Sequence, residues 1–136
     1  MSNLPAIQEL YEAFGRGDIP GVLEQLSEDV RWEAWAIDNT AQKSDVPYMR
    51  ERNGREAVGG FFSDIQEDFE LNSFRPLAFL EGENRVAVII SVDFTVRSTG
   101  KRVEDEEIHL WTFGSDGKIA EHRHFLDTAK AIEAHS

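Results

Sequence analysis

The chain has 136 residues and no cysteine, a size at which one domain buries a core without disulfides, and thiolate metal sites and a cysteine nucleophile are excluded. A formal net charge of −12 repels a phosphate backbone or an anionic membrane at long range, so neither nucleic acid nor a membrane surface is expected as a partner. The N-terminal Met-Ser-Asn-Leu-Pro lacks the pattern of a leader and no apolar run approaches the roughly 20 residues of a bilayer span, so a cytoplasmic protein is expected.

From Leu4 to Phe14, the apolar Ile7, Leu10, Tyr11 and Phe14 recur at the three-and-four spacing of an amphipathic helix, which Gly15 and Gly17 end. Asp18 caps a second short helix, with Pro20 near its start and Val22, Leu23 and Leu26 as its buried stripe before Ser27-Glu28-Asp29 breaks it. Val30 to Ile37 reads as a strand, with Val30, Trp32, Ala34 and Ala36 on one parity and Trp35 and Ile37 on the other. Asp38 to Gly54 is polar, without sustained period, and reads as one long loop of the kind that forms functional lids.

Helical spacing returns from Arg55 to Phe69 through Val58, Phe61, Phe62, Ile65 and Phe69, although Gly59 and Gly60 each weaken propensity by roughly 1 kcal/mol. The period then changes to two over about Ser73–Glu81, Arg85–Arg97, Arg102–Phe113 and Lys118–Asp127, separated by hairpin turns at Gly82-Glu83-Asn84, Ser98-Thr99-Gly100 and Gly114-Ser115-Asp116-Gly117, with Gly where positive φ is needed. A short helix can follow over Thr128–Ser136.

Three helices in the N-terminal half followed by an antiparallel meander predict an α+β fold of one domain, residues 1–136, in which helices cover the concave face of a strongly curved sheet. Val86, Val88, Ile90, Val92, Phe94 and Val96 form a wholly apolar strand face that should meet the helices. The opposite face, with Ile108, Leu110 and Phe125 on neighbouring strands, is more apolar than water favours, so a homodimer through the outer sheet face is expected.

Tyr11-Glu12-Ala13-Phe14, Gly17-Asp18, Glu28-Asp29-Val30, Gly54-Arg55-Glu56, Thr99-Gly100-Lys101 and Asp116-Gly117-Lys118-Ile119, closing with Asp127, resemble in order and spacing the SnoaL-like polyketide cyclase branch of the nuclear transport factor/ketosteroid isomerase superfamily. The resemblance spans nearly the whole chain and implies a cystatin-like cone, its mixed or antiparallel sheet enclosing a small-molecule pocket. Steroid isomerases of the superfamily use a carboxylate base and an oxyanion hole of a tyrosine and a protonated aspartic acid. On those positions this chain carries Ala34, Leu10 (with Tyr11 adjacent) and His109, so that mechanism does not carry over. The acidic residue that SnoaL-like cyclases place on the last strand corresponds to His124, or to Arg123 if the alignment slips by one. Histidine can take a proton from carbon beside a carbonyl, whereas arginine can only bind or polarise an oxygen.

Candidate chemistry concentrates on three histidines. His109 shares parity with Trp111 and Phe113, so if that parity faces the cone it is a neutral imidazole in an apolar pocket; the alternative is a hydrogen-bonded core histidine. His122 and His124 share a face of the last strand, and with His109 their spacing is compatible with zinc or iron, against the plainer reading as pocket polar groups. The candidate catalytic residues are His109, His124 and Tyr11, the last as oxyanion donor; the candidate substrate-binding residues are Trp32, Phe94, Trp111 and His122; no metal and no cofactor is assigned. Tyr48, Arg50 and Arg52 read as a solvated basic loop or a gate at the pocket mouth, and Glu104-Asp105-Glu106-Glu107 as a solvated strand edge.

The expected function is an isomerase or cyclase acting on a small hydrophobic carbonyl compound by histidine-mediated proton transfer. The alternatives are a non-catalytic binding or accessory protein and an epoxide-hydrolase-like enzyme. The last needs an Asp-Arg-Asp cluster in the cavity, and Asp93 lies on the outer parity.

Overall fold

A computed structural model describes residues 2–136. Helices α1 (Leu4–Gly15) and α2 (Ile19–Glu24) are followed by strand β1 (Leu26–Trp32), helix α3 (Thr40–Lys43), a 3-10 turn (Pro47–Met49) and strand β2 (Arg52–Asn53). Helix α4 (Arg55–Asp68), strands β3 (Phe69–Gly82), β4 (Arg85–Val96), β5 (Arg102–Phe113) and β6 (Ile119–Phe125), and helix α5 (Thr128–Ala134) complete the chain. The strands form one six-stranded sheet in the order β2-β1-β6-β5-β4-β3. β1 runs parallel to β6 and every other pairing is antiparallel, so the sheet is mixed.

The α+β arrangement is as the periodicity predicts, and β4 explains why it folds this way. All six inward residues from Val86 to Val96 on alternate positions are buried, each contributing about 1.5–3 kcal/mol of transfer free energy. Long β3 follows β4 with register shifts between Leu71 and Ser73 and between Pro76 and Ala78. Bulges of this kind bend a strand, and β3 curls so that Phe74 reaches back to Tyr11 and Phe14 of α1. On the outer face Ile89, Ile108 and Phe125 lie in one row across β4, β5 and β6, and Ile108 and Phe125 are exposed.

Four expectations are corrected. The first strand begins at Leu26 and stops at Trp32: Ser27-Glu28-Asp29 lies within the strand, where its register against β6 shifts, instead of breaking a helix, and the chain turns sharply at Glu33, whose φ is +57°. Residues 38–54 are not one bare loop: Asn39 caps α3 through Ala41 and Gln42, and the Gln42 amide donates to the carbonyls of Glu33 and Met49, stitching the segment down. In the β3–β4 turn the positive φ falls on Glu83, not on Gly82. Tyr48 is buried, and Arg52 is tied to Asp64, so only Arg50 of that trio stays solvated, beside Asp45. Among the described residues no helix is long and apolar enough to cross a membrane.

Candidate active site

Strand parity and the curl of the sheet gather aromatic and ionisable side chains around one cavity of about 100 Å³ between the sheet, α1 and α4. The candidate catalytic and substrate-binding residues all line it: Tyr11, Trp32, Phe94, His109, Trp111, His122 and His124. Leu10, Phe14, Phe61, Phe62, Phe69 and Phe74 supply much of the rest of an almost wholly apolar wall.

The histidines are fixed in three different states. Trp111 Nε1 donates to the Tyr11 hydroxyl at 3.0 Å, and an indole N–H can only donate, so the tyrosine oxygen accepts there. The remaining Tyr11 hydrogen then goes to His109 Nδ1, 2.8 Å away. His109 Nδ1 is therefore an acceptor, and the proton of the neutral ring sits on Nε2. Burial lowers the His109 pKa, which agrees with a neutral ring at pH 7, and burial likewise pushes the Tyr11 hydroxyl up, keeping it protonated.

His124 is the opposite case. Its Nδ1 lies 2.7 Å from Glu33 Oε1, and its backbone N–H donates to the same oxygen at 2.9 Å. Burial alone would lower its pKa, but the Glu33 carboxylate outweighs that, helped by Glu107 and Asp105, and raises it to about 9. His124 is thus an imidazolium at neutral pH with Nδ1–H committed to Glu33. His122, stacked 3.9 Å from Trp32 and tilted against Trp111 at 4.3 Å, has no hydrogen-bond partner on either ring nitrogen. Burial, then the neighbouring His109 and His124, hold its pKa well below the usual value, so it stays neutral. The three rings stand 5.4–6.0 Å apart, and among the described residues no group of three or more His, Cys, Asp or Glu could hold a metal ion.

Two carboxylates of this site escaped the sequence reading. Glu33 is 0% exposed and accepts from Trp35 Nε1 at 2.9 Å besides the two bonds from His124. It falls just past the end of β1, where the left-handed turn invalidates strand parity, so no periodic signal marks it. Glu107 had a signal: it shares parity with His109, Trp111 and Phe113, and it lines the cavity at 6% exposure. The acidic run is therefore a solvated edge only in part, and its last member points inward. Burial alone would raise the Glu107 carboxyl, but His109 and His124 more than offset that and hold it below the usual value. Tyr48 and Trp32 add a hydroxyl and an indole N–H at the cavity with no partner among the described residues. Asp93 faces outward onto Arg102, so the acid-base cluster of an epoxide hydrolase is not assembled here.

The SnoaL-like domain family matches residues 7–122, from the first buried residue of α1 to His122 on β6. No curated protein matches the chain in sequence. Among solved structures, an NTF2-like protein of unknown function from Burkholderia pseudomallei is 29% identical, with 98% of each chain covered and a TM-score of 0.81. TerC, co-crystallised with polyporic acid, is 25% identical over 97% of this chain and 96% of its own, with a TM-score of 0.76. A protein from Mesorhizobium loti, described as a proposed SnoaL-like polyketide cyclase, shares the fold at 24% identity, 92% and 99% coverage and a TM-score of 0.71. With a family match over most of its length and a fold shared with an NTF2-like structure, the chain belongs to the SnoaL-like family.

Proposed function

We propose that this protein is a cofactor-independent isomerase or cyclase that stabilises the enolate of a small hydrophobic carbonyl compound. The observation that carries the reading is that two inward imidazoles on adjacent strands are pinned through Nδ1 in opposite senses. Tyr11 donates to His109 while Glu33 accepts from His124, which leaves an Nε2–H on each ring as a donor at the cavity. Donors already oriented in an apolar, water-poor site stabilise a developing oxyanion without the reorganisation that water requires. The cationic His124 is the stronger of the two and is the proton donor of the pair. Tyr11 acts by fixing the His109 tautomer, with its own hydroxyl hydrogen engaged.

The cavity also bounds the substrate. At about 100 Å³, against roughly 150 Å³ for an engineered cavity that admits benzene, it takes no more than one small ring. The unpartnered Tyr48 hydroxyl and Trp32 N–H favour a substrate with further oxygen acceptors.

The test is exchange of the α-protons of cyclohexanone in D₂O, followed by NMR, with phenol binding as the probe for an enolate-like oxygen. The wild-type protein is expected to catalyse exchange and bind phenol, and His124→Gln to slow exchange by about 100-fold or more and to weaken phenol binding. A second reading, a binding protein without turnover, is favoured by the same unpartnered donors in an aromatic cage. Phenol binding with no exchange of the ketone selects it.

A further inference from the structure

We propose that Glu107 is the general base of this cavity. The inference rests on the carbonyl reading above and supplies what that reading lacks, a group that removes the proton.

Neither fixed histidine can fill that role in the arrangement observed. The only lone pair of the His109 ring is on Nδ1, where it accepts from Tyr11, and His124 carries protons on both nitrogens. Glu33 is also ill-suited, since its oxygens accept from Trp35 Nε1, the His124 backbone N–H and His124 Nδ1. A carboxylate so engaged is a counter-ion.

Glu107 differs in every one of these respects. It projects from β5 into the cavity two residues before His109, and no described residue donates a hydrogen bond to its carboxylate. Its nearest basic nitrogen is His109 Nε2 at 3.9 Å, too far for a hydrogen bond. Burying a carboxylate against aromatic walls is costly, and its lone pairs are left open toward the cavity, where a substrate C–H can meet them. Its charge is compensated first by neighbouring His109 and then by His124, in keeping with a carboxyl that stays ionised.

The step balances within the site. The Glu107 carboxylate takes a proton from the carbon beside the carbonyl. The C–H electron pair becomes the C=C bond of the enolate, and the carbonyl π pair moves onto oxygen, where His124 Nε2–H donates. Glu107, now a carboxylic acid, returns the proton to the same carbon in exchange, or to the γ-carbon of a β,γ-unsaturated ketone, and the oxygen pair re-forms the C=O bond. Nothing is oxidised or reduced. The substrate class that follows is a small ketone with an acidic α C–H, with or without a β,γ double bond.

Two probes test this: isomerisation of cyclohex-3-enone to cyclohex-2-enone, followed by ultraviolet absorbance, and α-proton exchange of cyclohexanone. Glu107→Gln is expected to lower both rates by about 100-fold or more while phenol still binds, because the donors remain. Glu107→Asp, which keeps the charge on a shorter arm, is expected to fall between wild type and Gln. The acid limb of the wild-type rate profile is expected to disappear in Glu107→Gln. The titratable groups around this carboxylate are Tyr11 from α1, Tyr48 from the 3-10 turn, His109 on β5 and His124 on β6. Of these, both tyrosines are raised by burial, so neither supplies an acid limb. A wild-type rate in Glu107→Gln overturns the assignment of Glu107 and leaves the carbonyl reading intact. A wild-type protein inert to both ketones overturns the carbonyl reading and the base with it.

Discussion

The sheet carries two short carboxylate–base pairs, one on each face, and they differ in almost everything except length. Inside, Glu33 and His124 meet at 2.7 Å with both side chains essentially removed from solvent. Outside, Asp93 and Arg102 meet at 2.5 Å, with the guanidinium 59% exposed. Water and salt screen the outer pair, and the ordered arginine loses rotamer freedom to make it. The inner pair has no water to fall back on, so the buried imidazolium of His124 depends on the carboxylate beside it. The environment of a pair, more than its separation, decides whether breaking it matters.

Breaking the inner pair is expected to have the largest effect. Glu33→Gln keeps the shape but strands His124, and loss of one partner of a buried pair costs about 3–5 kcal/mol. For a chain of this length, that corresponds to a fall of about 10–20 °C in the unfolding midpoint, measured by calorimetry at pH 7. The variant also sharpens the comparison, because His124 then loses the main cause that holds its proton beyond neutrality.

The next effect is read in the unmodified protein by raising the pH. His124 has a folded pKa raised to about 9. Its contribution is therefore fully present below the unfolded value of about 6.5 and is lost as pH rises from there through 9, where folded and unfolded states again bind equal numbers of protons. The loss is on the order of 3 kcal/mol, seen as a falling denaturation midpoint between pH 6.5 and 9. His109 and His122 act in the other direction: with pKa values depressed by burial, they erode stability as pH falls below the unfolded value. In Glu33→Gln the alkaline decline is expected to flatten, and a decline of unchanged size would assign it to some group other than His124.

The contrast between faces also explains what the sequence could and could not disclose. Alternation along β4 and β5 is a direct consequence of the two-residue strand period, so the inward placement of His109, Trp111 and Phe94 was legible. Glu107 was legible by the same parity but was masked by three acidic neighbours, of which Glu104 and Glu106 do face solvent. Glu33 was not legible, because its side chain is aimed by a single positive-φ residue that ends the strand. Tyr48 reaches the cavity from a segment with no period, positioned by Gln42 bonding to two distant carbonyls. Periodicity reports regular elements, and Glu33 and Tyr48 are held by irregular ones.

The smallest effect is expected on the outer face, where Asp93→Asn removes the charge opposite Arg102. The Arg102 guanidinium, seconded by Asn72, holds the Asp93 carboxyl down to about 2. A lowered value means its contribution is present above the usual carboxylate pKa and disappears only as pH falls through about 2, so at pH 7 the whole of it is on display. Even so, the carboxylate keeps access to water and Arg102 has Glu104 at 3.3 Å as a second partner. The midpoint is expected to move by no more than about 3 °C at low ionic strength, and the difference to vanish in about 1 M NaCl, where the Debye length is about 3 Å. Ketone exchange and phenol binding are expected to match the wild type, since the side chain faces away from the cavity. A loss from Asp93→Asn as large as that from Glu33→Gln, or one indifferent to salt, would mean that this outer pair is shielded from solvent in the folded protein, and the distinction between the two faces would fail.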